Sequence, residues 1–307
     1  MFTIRGSRVL GPARRLGRKT DSTRFNLLIH RTTMSPSVHS VAQSGFGRGN
    51  ELYDRARPSY EPVALSHIRQ LVKTAPPINV AEIGAGTGLF TRAFLAHPEW
   101  ASAIKELRAV EPSQGMREVF SKTVSDERVS IADGTFQQTS IPDGWADLVV
   151  VAQAFHWCPD YSSASEEFGR ILKADGVLVM IWNLEARESA KWVAQVRDRI
   201  EVHEQGSPQY RLGLWRQAFD TAAYQKLFDP PQEKTWSSLR PATLDIVVDR
   251  ACSKSYMAIL SAEETDKVKQ DLAAIVERGE DKVWIDEKEG LFEYPYKTDL
   301  VICRRKM

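Results

Sequence analysis

The sequence predicts an α/β fold: a doubly wound, mostly parallel, Rossmann-like sheet of about seven strands with an inserted helical cap. Three observations lead there. Short apolar runs alternate with helical patterns from Ile78 to Asn183, and such alternation implies parallel strands covered by helices on both faces. A glycine-rich turn, "GAGTG", closes the first apolar run. The last apolar stretches are linked too closely for a helical crossover, so they can only finish the sheet with antiparallel pairing.

Residues 1–33 stand apart. Arg5, Arg8, Arg14, Arg15, Arg18, Lys19, Arg24 and Arg31 face a single acid, Asp21, among Ser and Thr. That is the bias of a mitochondrial presequence; a disordered basic tail, or an upstream extension ahead of initiation at Met34, gives the same composition. Residues 1–40 are therefore set aside as tail or presequence, and 41–307 is taken as the folded domain.

A helix is expected from Glu61, with Leu65, Ile68 and Val72 on one apolar face. "INVAEIG" reads as the first strand and "LFTRAFLA" as the helix after it. "ELRAVEP" and "SQGMREVFSKT" repeat that pair, and "RVSIADG" and "ADLVVVAQAF" are the third and fourth strands. "SSASEEFGRILKADG" forms a helix with Phe168, Ile171 and Leu172 inward and Gly176 as its stop, and "GVLVMIWN" is the fifth strand. Beyond Asn183 the alternation ends. Residues 185–260 carry helical patterns, among them Trp192, Val193, Val196 and Ile200, and are read as a cap over the substrate. Ser261 with Glu264 makes a capping box for a helix bearing Val268, Leu272, Ile275 and Val276, stopped by Gly279. "LFEYPYKTDLVICRRK" supplies two strand-like pieces.

Composition narrows the function. Of 307 residues 42% are hydrophobic and 26% charged, with a net charge near +1. These are values of a globular chain with no global pull toward nucleic acid or acidic membranes. Cys158, Cys252 and Cys303 form no CxxC pair, which argues against a disulfide framework or zinc site and for a reducing compartment such as the cytoplasm. No apolar run approaches the roughly 18 residues of a membrane span.

The glycine turn decides the cofactor. A phosphate-cradling P-loop would end in Gly-Lys-Ser/Thr, which "GAGTGLF" lacks. A dinucleotide fingerprint needs a small third residue where the helix meets the pyrophosphate, but Leu89 or Thr91 stands there. What remains is E-x-G-x-G-x-G, with Glu82, Gly84, Gly86 and Gly88: a loop that passes close beneath a ligand without neutralising a diphosphate.

These four residues resemble the first motif of class I S-adenosylmethionine-dependent methyltransferases, and later stations agree. Glu111 ends the second strand 23 residues beyond Gly88, where the family holds the ribose hydroxyls; a carboxylate can accept from both. Asp133 and Gly134 end the third strand, where the family recognises adenine. Gln153, His156 and Trp157 stand at the fourth strand's tip. The chain from about residue 46 is most similar to the small-molecule branch with a methyltransferase type 11 domain, trans-aconitate-methyltransferase-like. That branch carries the leading Y-x-x-x-RPxY (Tyr53, Arg57, Pro58, Tyr60), the A-x-HW tip and a closing strand, here "YPYKT".

The resemblance implies methyl transfer from S-adenosyl-L-methionine to a small organic acceptor, at a hydroxyl or carboxylate oxygen. The protein would act as a monomer or homodimer on a small-molecule substrate, without nucleic acid or membrane; no Asp-Pro-Pro-Tyr-type motif marks the tip. His156 is the candidate base or substrate-orienting group, and a structural role is the alternative. Trp157 would pack against the sulfonium. Glu82 lies near the methionine moiety in the family, or else only accepts from loop N–H groups. Asp133 could be a turn residue. Arg57 could bind a substrate carboxylate or anchor its own segment. Trp182, Trp192, Trp215 and Trp236 form an apolar lid or merely fill the core. The segment "DRACSKSYMAIL", with Arg250, Ser253, Ser255 and Tyr256, also resembles the branch, without an assigned role. Two rival functions remain: a methyltransferase-fold regulator acting through partners, and a nicotinamide-dependent oxidoreductase, which Leu89 disfavours.

Overall fold

The structure, a computed structural model, describes residues 50–306, all within the unit Pro36–Met307. The basic segment and its presequence-like bias lie outside the described residues.

Eight described strands form one sheet: β1 (Ile78–Ile83), β2 (Ile104–Val110), β3 (Val129–Ala132), β4 (Ala146–Ala152), β5 (Leu172–Glu185), β6 (Gln232–Ala242), β7 (Trp284–Asp286) and β8 (Leu291–Arg304). Their order is β3-β2-β1-β4-β5-β8-β6, with β7 paired to β8. The first five are mutually parallel, and β8 runs antiparallel to both β5 and β6. The helices are α1 (Asn50–Ala56), α2 (Pro62–Leu71), α3 (Leu89–Ala96), α4 (Pro98–Ala101), α5 (Gln114–Thr123), α6 (Tyr161–Ile171), α7 (Lys191–Glu201), α8 (Ala222–Leu227), α9 (Leu244–Cys252) and α10 (Ala262–Arg278).

Parallel strands need cover on both faces, and the two-residue period of a strand sends successive side chains to opposite covers. Val80, Leu148 and Val150 pack with Leu65 and Ile68 of α2 and Phe90 and Phe94 of α3. Their neighbours Ala81, Val149 and Val151 pack on the other face with Phe155, Phe168, Trp182 and Trp215. A third cluster joins Trp192, Val193 and Val196 of α7 to Val268 and Leu272 of α10 and to Phe292, Tyr294 and Tyr296 of β8. The capping box of α10 forms as its sequence predicts, and Gly279 ends the helix in the left-handed conformation.

Three elements differ from expectation. Residues 232–242, inside the stretch read as helical, form β6, an outer strand whose exposure alternates and which carries Trp236. The closing segment is one 14-residue strand, not two pieces. And α6 ends at Ile171, because Leu172 turns extended (φ −73, ψ 139) and opens β5 against Ala146. Gly176 is not a helix stop. It lies where the β4–β5 register shifts, and a Cβ there would stand 2.8 Å from Leu172 Cδ2 and 3.1 Å from the Ala146 carbonyl oxygen.

Candidate active site

The carboxyl ends of β1–β4 and the segment before α2 enclose a cavity of about 560 Å³. On one side the β1 turn is tied to β2, since the N–H groups of Gly84 and Ala85 donate to the Val110 carbonyl at 2.8 and 3.1 Å. Close packing explains two of its glycines. A Cβ on Gly84 would stand 2.7 Å from Ala154 Cβ, and one on Gly88 2.7 Å from Val124 Cγ2 and 2.9 Å from Phe120 Cδ2, both at positive φ. Gly86, also at positive φ, has Met116 Sδ no nearer than 3.6 Å and faces the cavity.

Glu111, just past β2, is held by two backbone amides: Gly86 N–H donates to Oε2 at 3.0 Å and Ser113 N–H to Oε1 at 2.9 Å. Each oxygen keeps a lone pair for a ligand hydroxyl. Burial raises the Glu111 pKa above the ordinary carboxylate value, against the lowering effect of those amides. Glu82 is fully buried. Thr91 Oγ1 donates to its Oε2 at 2.5 Å, while Oε1 has no partner among the described residues. Burial, foremost, pushes its pKa up to about 8. An orphaned carboxylate oxygen on a cavity wall fits a ligand cation, and the α-ammonium of S-adenosylmethionine is such a group.

Asp133 lies at the exposed end of the cavity, paired with Arg117 at 2.7 Å. Gly134 has no room for a side chain, since a Cβ would stand 2.6 Å from Val110 Cγ1 and 2.8 Å from the Gln138 carbonyl oxygen. Gln153 turns the tip of β4 at φ 56, with its Nε2 donating to the Asn183 carbonyl at 2.8 Å. Trp157 lines the cavity wall.

Gly88 and His156 are not on that wall. Gly88 caps α3 from behind. The half-buried His156 ring stands 5.4 Å from that of Trp157, and its Nδ1 accepts from Trp182 Nε1 at 3.2 Å. Burial first, then Arg57 and Lys254, push its pKa down to about 3. A ring so placed is neutral at physiological pH, which weighs against the base and leaves the substrate-orienting and structural alternatives. The tryptophan lid also fails: Trp182, Trp192 and Trp215 are fully buried and, like Trp236, do not line this cavity.

The opposite wall comes from distant parts of the chain. Asn183 Nδ2 and Arg240 Nη2 donate to the Ser59 carbonyl at 3.2 and 2.7 Å, and Thr298 Oγ1 donates to Asn183 Oδ1 at 2.7 Å. This pins Tyr53, Arg57, Pro58 and Tyr60 along the cavity. Arg57 donates to the Ser253 carbonyl at 3.0 Å and lies 4.4 Å over the Tyr53 ring, so it does anchor its segment; its buried Nε has no partner among the described residues. Burial and the nearby Arg250 lower its pKa to about 10.

Behind it sits a buried ionic nest, to which the segment "DRACSKSYMAIL", without an assigned role in the sequence, contributes Arg250 and Lys254. Glu185, ending β5, takes Arg250 Nη2 at 2.7 Å, Arg197 Nη1 at 2.8 Å and Lys254 Nζ at 3.1 Å. Glu201 shares Arg197 at 2.5 Å. The clustered cations hold Glu185 well below the usual carboxylate range despite its burial. Burial and Arg250 push Lys254 well below its own. Among the described residues Arg250 Nε and Nη1 find no hydrogen-bond partner.

A sheet of this order, with a glycine turn after β1 and a carboxylate after β2 facing one cavity, defines a class I methyltransferase fold. Residues 81–180 match the methyltransferase domain family. An uncharacterized methyltransferase-like protein of Schizosaccharomyces pombe is 28% identical over 224 residues, 73% of this chain and 82% of its own. The YcgJ protein of Bacillus subtilis shares the fold at TM-score 0.50 and 20% identity, over 80% of this chain and 100% of its own. A phosphoethanolamine N-methyltransferase 2 of Haemonchus contortus, solved with phosphomonomethylethanolamine and S-adenosylhomocysteine, matches at TM-score 0.50 and 13% identity, over 84% of this chain and 57% of its own. The chain is an S-adenosylmethionine-dependent methyltransferase. The trans-aconitate branch rests on the sequence motifs alone. No helix among the described residues is long and apolar enough to cross a membrane.

Proposed function

We propose that the protein methylates a carboxylate oxygen of a small organic acid. The observation that carries this reading is Arg57, on the cavity wall with an unpartnered Nε and with Arg250 and Lys254 behind it. Arg197, Arg250 and Lys254 already share the carboxylate of Glu185, and of the three only Arg197 also meets Glu201. Surplus buried positive charge is costly unless an anion completes it, and an acceptor carboxylate is such an anion.

The cofactor supplies a methyl group made electrophilic by its sulfonium. In this reading Glu111 accepts from the ribose hydroxyls, Asp133 and the backbone at Gly134 flank the adenine, and Glu82 Oε1 takes the α-ammonium. Trp157 offers an aromatic face to the sulfonium. Arg57 turns the acceptor's carboxylate toward the methyl; alignment is the protein's main contribution. A carboxylate is ionised at neutral pH, so no base is required, in keeping with the neutral His156. The acceptor is a small molecule, and the protein works on it as a monomer or homodimer. A reducing compartment, the cytoplasm in the first instance, suits its three free cysteines.

The test follows the fate of the methyl group. The protein is incubated with methyl-labelled S-adenosylmethionine and a small-molecule extract of its source, and the products are then made alkaline. A carboxyl ester releases the label as volatile methanol, whereas a methyl ether or methylamine retains it. Label that stays behind in alkali refutes the carboxylate reading.

A further inference from the structure

We propose that Trp182 is a positioning residue that locks His156 into a single tautomer, so that the imidazole gives the bound acceptor an N–H instead of taking its proton. This rests on the acceptor lying beside Arg57 and Trp157.

The assignment follows from what an indole can do. Trp182 Nε1 stands 3.2 Å from His156 Nδ1, and an indole nitrogen donates but never accepts. Nδ1 must therefore present its lone pair, which leaves the single ring proton on Nε2. A second proton would have to enter on Nδ1, against the indole N–H. It would also add charge near Arg57 on the leading segment and Lys254 after α9, the two cations that act on this ring. Among the described residues Nε2 has no hydrogen-bond partner. Its N–H is thus open to a ligand, on a ring that stands beside Trp157 of the cavity wall.

Trp182 cannot easily turn away. It is fully buried, with Tyr210 at 4.6 Å and Trp215 at 4.8 Å between ring centroids. Those partners are themselves fixed: Trp215 Nε1 donates to the Tyr210 carbonyl at 3.0 Å, and Tyr210 Oη to Asp299 at 2.9 Å. The chain between α7 and α8 therefore reaches the reaction centre through one indole. It acts as a splint for the histidine, not as a lid.

Full-length protein carrying ¹⁵N-histidine and loaded with S-adenosylhomocysteine tests this by NMR. The His156 signals are identified by their loss in His156→Gln. In the wild type, Nε2 should carry the proton and Nδ1 should stay unprotonated from pH 5.5 to 8. In Trp182→Phe the ring should exchange between tautomers, with both nitrogens moving to intermediate shifts. A proton on wild-type Nδ1, titration of the ring within that range, or an unchanged tautomer in a folded Trp182→Phe protein each overturns the proposal. The wild-type spectrum decides even where that variant does not fold. In turnover, His156→Gln, whose amide can still donate, should exceed His156→Ala by about tenfold or more; equal losses overturn the donor role. Binding of S-adenosylhomocysteine is measured on every protein first. Should the labelled product prove not to be an ester, the carboxylate reading falls while the nitrogen spectrum still decides His156.

Discussion

The two walls of the cavity are built from opposite materials. The wall at the ends of β1–β4 is made of backbone amides, crowded glycines, the carboxylates of Glu111 and Asp133, and the buried carboxyl of Glu82. The wall opposite is made of side chains and is cationic: Arg57 faces the cavity, with Arg250, Lys254 and Arg197 gathered on Glu185. The polarity suits the proposed reaction, in which the cofactor brings a sulfonium and an ammonium and an acid acceptor brings negative charge. In that reading opposite walls would sort the two ligands before any specific contact forms.

The comparison breaks most visibly at its ionic hub. Glu185→Gln leaves three buried cations without their shared carboxylate and should destabilise the fold by about 3–5 kcal/mol, as removal of one partner from a buried ion pair does. Chemical denaturation measures this; a loss below about 1 kcal/mol would mean that the nest is solvated or neutral.

On the cofactor wall, Glu111→Ala should remove charge-assisted bonds worth roughly 1.5–3 kcal/mol each. Cofactor affinity should then fall by about tenfold or more, with the melting profile of the unliganded protein little changed. Calorimetry showing full affinity would place the ribose elsewhere.

Glu82 sharpens the contrast through pH. Its carboxyl is protonated up to about pH 8 in the unliganded fold, whereas an ordinary glutamate titrates near 4.3. Between those values the native state holds a proton that the unfolded chain has lost, so this group makes stability fall as pH rises, with the change complete above pH 8. A cofactor ammonium at Oε1 favours the ionised form. Binding should therefore release a proton in that window, and affinity should climb with pH by at most about tenfold per unit, the limit for one linked proton. Calorimetry in buffers of different ionisation enthalpy detects the release, and Glu82→Gln should abolish it. Proton release that persists in the variant would assign the linkage to another group.

The smallest effect is expected at Asp133, whose carboxylate is 74% exposed in its pair with Arg117. Exposed pairs contribute little, so Asp133→Ala should lower cofactor affinity by about threefold or less. A tenfold loss would give the adenine contact a weight comparable with that of Glu111.

What could be read from the sequence follows the same division. The cofactor wall is local: β1, its turn, and β2 with Glu111 follow one another at near-fixed spacing, and apolar periodicity marks each strand. Glu82, Gly84, Gly86, Glu111, Asp133, Gly134, Gln153 and Trp157 all reach the cavity. The acceptor wall is assembled at long range, as in the Arg57–Ser253 contact between residues 196 apart. The segment "DRACSKSYMAIL" stood out by resemblance, but nothing in it marks Lys254 for burial beside Glu185, and Asn183 reads as the mere end of an apolar run. Arg57 was legible only as a choice between anchor and ligand; the geometry shows the anchor and sets the same side chain on the cavity. The β6 strand escaped because an outer strand with one exposed face carries few apolar residues, and "QEKTWSSLRPA" has little period to find. His156 drew notice by position, but the group that decides its protonation, Trp182, lies on the next strand.

The placement of β8 has a consequence for how the protein is made. β8 follows every other described strand along the chain, yet it lies between β5 and β6. On the ribosome the ends of β1–β4 emerge first and can close around the glycine turn, while β6 waits with its edge unpaired. Only β8 brings Thr298, which orients Asn183 and through it Ser59. The growing chain thus gains the means to hold its cofactor before the means to hold its acceptor, and the last of the described strands completes the second wall.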